Sequence, residues 1–261
     1  MTRFCTLVSG SSGNAVFLSH NGTNILIDCG ISGKKIAACL ENIGVHASEL
    51  DYILVTHEHI DHIQGVGVLS RRFDIPIVAS CGTWEGMIIG DIADKNIKMF
   101  NENKQMDIGG IGVTPFDIPH DANQPTSYRF DIGNKCFAVA TDIGHINDDL
   151  KKCVSGCEMA VLEANYDEQM LKNGAYPYPL KKRISGANGH LCNDDAGALA
   201  VHMVENGTKH IMLGHLSKEN NIPNLAFATV ARILEINGIC VGTDVSMQVA
   251  PRYDVSPMIG A

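Results

Sequence analysis

Residues 56–62, which read Thr-His-Glu-His-Ile-Asp-His, constrain this chain more than any other segment. Three histidines and one aspartate fall within six positions, although the whole chain of 261 residues contains only 11 histidines. The apolar residues 52–55 directly before them predict a strand, so the cluster lies in the loop at that strand's carboxyl end. Because α/β sheets place their chemistry in such loops, the segment predicts an α/β protein with a metal-binding or catalytic loop.

The residue types in this loop are those that bind divalent metal ions. Imidazole nitrogen and carboxylate oxygen are both accepted by zinc, manganese and iron. His57 and His59 are two positions apart and point the same way in extended chain, whereas Asp61 and His62 turn with the start of the next helix. One loop therefore begins two neighbouring metal sites, and other loops must complete them.

Three further ligand candidates also follow predicted strands. His120 follows residues 113–118, Asp142 follows residues 136–140, and His215 follows residues 210–213. Our assignment gives one ion the ligands His57, His59 and His120, gives the other Asp61, His62 and His215, and makes Asp142 the bridge. A water shared by two close cations loses a proton near neutral pH and attacks an electrophile. The predicted cofactors are two divalent ions per chain, zinc or manganese, with iron also compatible.

Short apolar runs alternate with helical patterns along the chain. Strands are predicted over residues 16–18, 24–28, 52–55, 77–79, 113–116, 128–132, 136–140, 159–163, 210–213 and 239–241. Helices are predicted over residues 34–43, 62–73, 81–89, 167–172, 194–205 with Asn193 as N-cap, and 225–236. The dipeptide Asn21-Gly22 predicts a hairpin turn. Since no linker, repeat or composition shift divides the chain, we predict an α/β (α+β) fold, a four-layer αββα sandwich with residues 1–261 in one domain.

Charge and cysteine content indicate where such a protein works. The formal charge of -9 argues against binding nucleic acid over the whole surface but leaves room for a local basic patch. Nine scattered cysteines without a CxxC pair, and the absence of an apolar signal segment, predict reduced thiols in the cytoplasm. Cys153 and Cys157 are expected one helical turn apart. No apolar run approaches the ~20 residues that span a bilayer, so no membrane partner is expected.

Two segments outside the ligand set are candidates for substrate binding. In residues 9–14, Ser11, Ser12 and Asn14 offer polar groups beside flexible backbone amides that can cradle a phosphate, although a plain hairpin turn explains the segment equally well. Residues 176–183 combine aromatic and cationic side chains suited to stacking a base and holding phosphates. The candidates in this second segment are Tyr176, Lys181, Lys182 and Arg183, and a solvated charged face is the alternative.

The ligand motifs as a set resemble those of the metallo-β-lactamase superfamily. Residues 56–62 match its HxHxDH signature, and His120, Asp142 and His215 match its later ligand motifs. The chain is most similar to the YycJ branch, also called WalJ or VicX, through residues 9–14, 27–30, 119–122, 162–167, 189–191 and 214–217. This resemblance implies an αββα sandwich and, in that branch, 5′ to 3′ exonuclease activity on DNA with roles in repair or beside a cell-wall two-component system.

His190 is predicted to act beside the metal ligands. It resembles the additional histidine that ribonuclease Z-like phosphodiesterases place near the scissile phosphate, which implies proton donation or charge stabilisation. A surface histidine that caps the following helix is the alternative. The predicted catalytic residues are thus Asp61 and His190, whereas Glu58 is expected to point away from the ligands on either side of it.

Three functions are compatible with these features. The leading prediction is a phosphodiesterase that acts on nucleic acid, DNA from an end, with a metal-bridging hydroxide as nucleophile. The same fold and water also serve the hydrolysis of a small thioester, lactone or β-lactam. The third alternative, a non-catalytic regulatory metal-binding protein, is disfavoured by the seven-ligand set. The basic residues 181–183 and His190 favour a phosphate ester over the smaller substrates.

Overall fold

A computed structural model describes residues 1–100 and 104–260 of the chain. They form two compact units: Met1–Pro115 with Ala122–Thr126 and Pro251–Ala261, and Phe116–Asp121 with Ser127–Ala250. The described strands are β1 (Thr2–Val8), β2 (Ala15–His20), β3 (Thr23–Ile27), β4 (Tyr52–Leu54), β5 (Ile77–Ala79), β6 (Ile97–Met99), β7 (Met106–Ile108), β8 (Ile111–Asp117), β9 (Thr126–Ile132), β10 (Lys135–Ala140), β11 (Met159–Glu163), β12 (His210–Gly214), β13 (Ser246–Val249) and β14 (Ile259–Gly260). The described helices are α1 (Gly33–Asn42), α2 (Ile60–Ile63), α3 (Val66–Phe73), α4 (Cys81–Gly86), α5 (Asp148–Val154), α6 (Glu168–Asn173), α7 (Tyr178–Ile184), α8 (Asn193–Glu205) and α9 (Pro223–Ile236).

The described strands form two mixed sheets of seven strands each. Their orders are β14-β1-β2-β3-β4-β5-β6 and β13-β12-β11-β10-β9-β8-β7. In the first sheet β1, β2 and β3 pair antiparallel, and β3 to β6 run parallel. In the second, β10 to β13 run parallel and β9 pairs antiparallel with β10. The predicted α/β fold class is confirmed, whereas the assignment of all residues to one domain stays a prediction.

Apolar side chains attach helices to each sheet. In the first unit, Ile36 and Leu40 of α1 and Leu69 of α3 share a core cluster with side chains of β1 to β5. In the second unit, α5, α8 and α9 share a core cluster with alternate residues of β10, β11 and β12. The intervening strand residues are buried as well, so these strands are continuous apolar runs, as is typical of sheets covered on both faces.

The predicted hairpin between β2 and β3 is confirmed. Asn21 and Gly22 have φ angles of 48° and 93°, which is the left-handed backbone that a two-residue primed turn requires. The hairpin fixes β3 beside β2 with Ile27 opposite Val16. The carboxyl end of β3 is thereby placed next to that of β4, with which it pairs in parallel.

Some predicted boundaries are wrong for identifiable reasons. The helix predicted over residues 62–73 is divided into α2 and α3, because Gly65 donates to the carbonyl of Cys29 and a Cβ there would lie 2.5 Å from the carbonyl oxygen of Ile31. The strand predicted over residues 239–241 does not form, and β13 pairs with β12 instead. The N-cap of α8 is Cys192 rather than Asn193, since the Cys192 sulfur accepts from the amide of Asp195.

The cysteines are all free thiols. Cys153 lies in α5 and Cys157 lies beyond the end of that helix, so the expectation that they are one helical turn apart is wrong. None of the helices in the described part of the chain combines the length and the hydropathy needed to cross a bilayer.

Candidate metal centre

The loop after β4 gathers the first four predicted ligands within the first unit. His57 Nε2 lies 3.0 Å from His59 Nδ1, and His62 Nε2 lies 3.6 Å from an Asp61 carboxylate oxygen. The rings of His57 and His62 are fully buried with centroids 4.1 Å apart. Thr56 Oγ1 lies 3.0 Å from His57 Nδ1, which leaves Nε2 of that ring facing His59. Nitrogen and oxygen donors that converge at these distances are suited to share a cation.

Asp28, the residue directly after β3, orients this loop. Its Oδ2 accepts hydrogen bonds from His62 Nδ1 at 2.8 Å and Thr56 Oγ1 at 2.9 Å, and its Oδ1 accepts from the Thr56 amide at 2.8 Å. With the proton of His62 held at Nδ1, Nε2 is the ring nitrogen that can accept, and it lies beside the side chains of Asn14 and Asp61. Sequence reasoning noted Asp28 only within a family motif. The signal that identifies it is an acid directly after a strand that pairs in parallel with β4.

Residues 9–14 support the ligand loop. The Asn14 amide donates to the carbonyl of Asp61 at 2.9 Å, its carbonyl accepts from Gly30, and its side-chain nitrogen lies 3.2 Å from His62 Nε2. A Cβ on Gly30 would lie 1.6 Å from the Asp61 carbonyl oxygen, so this approach needs glycine. Asn14 is therefore part of the support for the ligands, whereas Ser11 and Ser12 are exposed to solvent.

Glu58 has a structural role, as expected. Its Oε1 accepts a hydrogen bond from the Asn123 amide at 2.7 Å, within the same unit. The carboxylate is therefore used to hold the segment around residue 123.

In the second unit, three neighbouring parallel strands each end beside an ionisable residue. Asp142 lies two residues after β10, Glu163 is the last residue of β11, and His215 directly follows β12. Parallel strands bring their carboxyl ends to one edge of a sheet, so these side chains meet. Together with His190 they offer ligand atoms that all lie within 4.8 Å of one another.

Glu163 is the centre of this cluster, although the sequence indicated it only within a family motif, at residues 162–167, and gave it no role. Its Oε1 accepts from His190 Nδ1 and from His215 Nδ1, both at 2.8 Å, and its Oε2 accepts from the amides of Ile143 and Leu191. Burial opposes ionisation of the carboxyl, but the charges and hydrogen bonds of the two histidines outweigh it and hold the pKa of Glu163 below its usual range. Both imidazoles are thereby oriented with Nε2 left for other partners.

His120 and His190 complete the second cluster. His120 Nδ1 donates to the carbonyl of Gly189 at 3.1 Å, and its Nε2 lies 3.7 Å from an Asp142 oxygen. Burial lowers the pKa of His120, although the Asp142 carboxylate acts in the opposite direction. The neutral imidazole is the form that binds a metal. The side chain of His190 is 20% exposed, so part of this ring is open to solvent.

These donors fit divalent metal ions. In His62, His120 and His215 a carboxylate or carbonyl holds the Nδ1 proton, which is how metal-binding histidines are usually oriented. The remaining donors are nitrogen and carboxylate oxygen, the mixture that zinc, manganese and iron accept.

Backbone conformation also sets these positions apart. Asp28, Asp142 and His215 have φ angles of 60°, 62° and 54°, and each lies within two residues of the end of a parallel strand. A left-handed conformation in a residue other than glycine costs of order 1–3 kcal/mol and is concentrated at functional sites. The same backbone conformation therefore occurs beside the candidate ligands of each unit, at Asp28 in the first and at Asp142 and His215 in the second.

In the basic segment predicted from sequence, some side chains are hydrogen-bonded to other parts of the protein and others are exposed to solvent. Arg183 forms two hydrogen bonds with the carboxylate of Asp121, at 2.5 and 3.2 Å. Lys181 Nζ donates to the carbonyl of Lys172 at 2.8 Å. Lys182 is exposed on α7. Tyr176 packs against the small apolar cluster of Tyr166, Leu171 and Cys192 and is only partly exposed.

We expect Glu163→Gln to lower metal affinity and kcat/KM by about 10- to 100-fold, the usual effect of removing a group that orients metal ligands. The amide keeps the shape but loses the charge and the paired acceptor geometry that hold His190 and His215. Isothermal titration with Mn²⁺ measures the affinity. The control is Glu158→Gln, which lies just before β11 and pairs with Lys135 and Lys209 at the surface. Equal metal affinity in both variants would show that Glu163 does not orient ligands.

Comparison with known proteins agrees with this geometry. Residues 23–215 match the model of the β-lactamase superfamily domain. The exodeoxyribonuclease YycJ of Bacillus anthracis is 39% identical over 241 residues, which cover 92% of this chain and 91% of that protein. The exodeoxyribonuclease WalJ of Streptococcus pneumoniae serotype 2 (strain D39) is 39% identical over 259 residues, with coverage of 98% and 94%. The metallo-β-lactamase fold protein YhfI from Bacillus subtilis superposes with a TM-score of 0.73 at 16% identity, covering 98% of each chain.

The likeness to YhfI shows that the chain has the predicted metallo-β-lactamase fold. The chain belongs to the β-lactamase superfamily and, within it, to the family of YycJ and WalJ. It is a metal-dependent hydrolase, so the alternative of a non-catalytic regulatory protein is set aside.

Proposed function

We propose that this hydrolase is a cytoplasmic exonuclease that degrades DNA from the 5′ end, with two divalent ions, zinc or manganese, in its active site. The supporting observation is that the chain is 39% identical to two exodeoxyribonucleases over nearly its full length. A role in DNA repair is part of the same proposal, because the family resemblance implies it.

The ligand assignment within this proposal follows the sequence. His57, His59 and His120 would hold one ion, Asp61, His62 and His215 would hold the other, and Asp142 would be shared by both. Two such ions would supply Lewis-acid stabilisation of a phosphoryl oxygen and a water of lowered pKa as nucleophile. Four of these ligands converge in the loop after β4, and the other three lie at strand ends of the second unit.

The contact of His190 with Glu163 supports the proposal that His190 is a proton donor to the leaving oxygen. Glu163 holds its Nδ1 at 2.8 Å, so the ring is fixed and Nε2 remains for the substrate. An ionised Glu163 also stabilises the positively charged ring, which is the form that donates a proton. We therefore propose that His190 protonates or stabilises the departing strand.

The test uses blunt duplexes labelled at the 5′ or the 3′ end and incubated with the wild-type protein, with Mn²⁺ or with EDTA. A 5′ to 3′ exonuclease releases the 5′ label as mononucleotide or short product at once, while the 3′-labelled strand shortens progressively. EDTA should stop both reactions. Failure to shorten either duplex with Mn²⁺ or Zn²⁺ would overturn the nuclease proposal, and immediate release of the 3′ label would reverse the polarity.

The basic residues of α7 separate a nuclease from a hydrolase of small esters. We expect the double variant Lys181→Gln/Lys182→Gln to raise KM for DNA. The slope of log affinity against log salt concentration should become shallower by about 0.9 for each phosphate that is no longer neutralised. Hydrolysis of a small thioester, if present, should be unchanged because such a substrate offers no phosphate. Initial rates at several salt concentrations provide the measurement. Unchanged KM and salt slope for DNA would exclude these two lysines from the substrate path.

A further inference from the structure

A groove between α6 and α7 has the chemistry of a site for single-stranded nucleic acid. Its volume is about 440 Å³, within the range of pockets that hold small organic molecules. Its lining includes Tyr178, three lysines (Lys172, Lys181 and Lys182) and Glu168. The three lysines against one glutamate leave a net positive groove on a chain whose formal charge is -9. This local charge favours a polyanion.

The two tyrosines of this region have different roles. Tyr176, the residue predicted from sequence to stack a base, packs against the apolar cluster that contains Tyr166 and Leu171. Tyr178, two residues later, is 76% exposed and lines the groove. Pro177 and Pro179 flank it and restrict the backbone on either side, so the ring is held on a stiff segment. Tyr178 therefore presents an open aromatic face beside cationic side chains.

Helix α7, which supplies several lining residues of the groove, ends in contact with the segment that carries His190. The carbonyl of Ile184, the last residue of α7, accepts a hydrogen bond from the His190 amide at 2.9 Å. At 1.5 Å per residue, the seven residues of α7 extend over roughly 10 Å. On the other side of the groove, the carbonyl of Tyr166 accepts from the amide of Asn193, three residues beyond His190. Nucleic acid in the groove would thus lie within a few nucleotides of the catalytic histidine.

From this arrangement we propose that the α6–α7 groove binds one unpaired strand of DNA, with a base stacked on Tyr178 and phosphates held by Lys172 and Lys182. Stacking on an exposed aromatic ring is tolerant of sequence, because every base has a π-face. The inference rests on the proposed function in naming DNA as the ligand. It adds that the strand is held as a single strand beside the site.

The test is equilibrium binding of a fluorescein-labelled oligothymidylate of 12 nucleotides in EDTA, followed by fluorescence anisotropy, so that no cleavage is needed. We expect Tyr178→Ala to raise Kd roughly tenfold, in line with the effect of losing one stacked base. Tyr178→Phe should restore binding to within about twofold, since stacking uses the ring and not the hydroxyl. Tyr253→Ala is the matched control, since Tyr253 is likewise exposed (66%) but lies in the first unit. It should bind as the wild type does.

Lysine variants supply an independent measurement. Lys172→Gln and Lys182→Gln should each reduce the salt slope of binding by about 0.7, the value for one neutralised phosphate on a single strand. Lys152→Gln, an exposed lysine of α5, should leave that slope unchanged. If Lys172→Gln and Lys182→Gln both have the Kd and salt slope of the wild type, as the control does, the assignment of phosphates to the groove is contradicted.

The binding and cleavage results separate this inference from the proposed function. If the wild type binds the oligonucleotide and Tyr178→Ala does not, but no nuclease activity is found, the groove assignment stands and the proposed reaction is wrong. If the wild type degrades duplex ends while Tyr178→Ala binds and cleaves with unchanged Kd and KM, the groove assignment is wrong and the reaction stands. No binding of single strands by the wild type also overturns the inference.

Discussion

Asp61→Ala is expected to lower kcat/KM on end-labelled DNA by about 10³-fold, the upper range for removal of one charge-stabilising group from an active site. The Asp61 carboxylate lies 3.6 Å from His62 Nε2 at the start of α2, and in our assignment it is a ligand of one ion. Its loss removes a negatively charged ligand from that ion. The nucleophilic water and the charge that develops on the phosphate in the transition state are then less well stabilised. The loss should appear in kcat, because the lysines of α7 still hold the DNA.

Asp149→Ala is the matched control for Asp61→Ala. Asp149 lies in the first turn of α5, as Asp61 lies in the first turn of α2, but it is exposed and pairs only with Lys152 among the ion pairs described. Its replacement should leave kcat within about twofold, since exposed ion pairs contribute little. An Asp61→Ala enzyme with wild-type kcat would show that Asp61 is not a ligand of a catalytic ion.

Metal binding is expected to raise the melting temperature of the protein by about 10 °C. A ligand present at 1,000 times its Kd stabilises the folded state by about 4 kcal/mol, and each kcal/mol shifts Tm by about 2–4 °C in a protein of this size. The physical reason is the burial of acidic groups at the strand ends of the second unit: Asp142 and Glu163 are both at most 2% exposed. A bound cation offsets the cost of burying their charge.

Differential scanning fluorimetry of EDTA-treated protein, with and without Mn²⁺, measures this shift. In His215→Ala the shift should be much smaller, even if the variant has a lower Tm without metal, because each variant serves as its own baseline. Equal Tm values with and without metal in the wild type would contradict metal binding at the buried clusters.

The histidines of the loop after β4 could be predicted as ligand candidates from the sequence, because their spacing determines which way their side chains point. The apolar run over residues 52–55 predicts a strand, and β4 begins where that run begins and ends at Leu54, one residue before the run does. Strands β5 and β11 have the predicted bounds, since Pro76 and Ser80 border the first short apolar run and Glu158 precedes the second. Their burial on both faces leaves little choice of conformation.

The residues that orient the ligands could not be found in this way. Asp28 and Glu163 are each a single acid at the end of an apolar run, with no spacing that relates them to a histidine. Their roles depend on which strands are neighbours: β3 pairs with β4, and β11 lies between β10 and β12. The order of strands in a sheet is set by packing of the whole chain. Tyr178 was not singled out for a related reason, since sequence alone does not show which of two tyrosines packs against an apolar cluster and which is exposed.

The central claim, a hydrolytic centre of two ions with seven ligands, is tested most directly by the metal content of the purified protein. Mass spectrometry of metals after loading with Zn²⁺ or Mn²⁺ and removal of excess ions should give two ions per chain. The same measurement on Asp149→Ala should also give two, while Asp142→Ala, which lacks the proposed bridge, should give one or none. Less than one ion per wild-type chain would contradict the account.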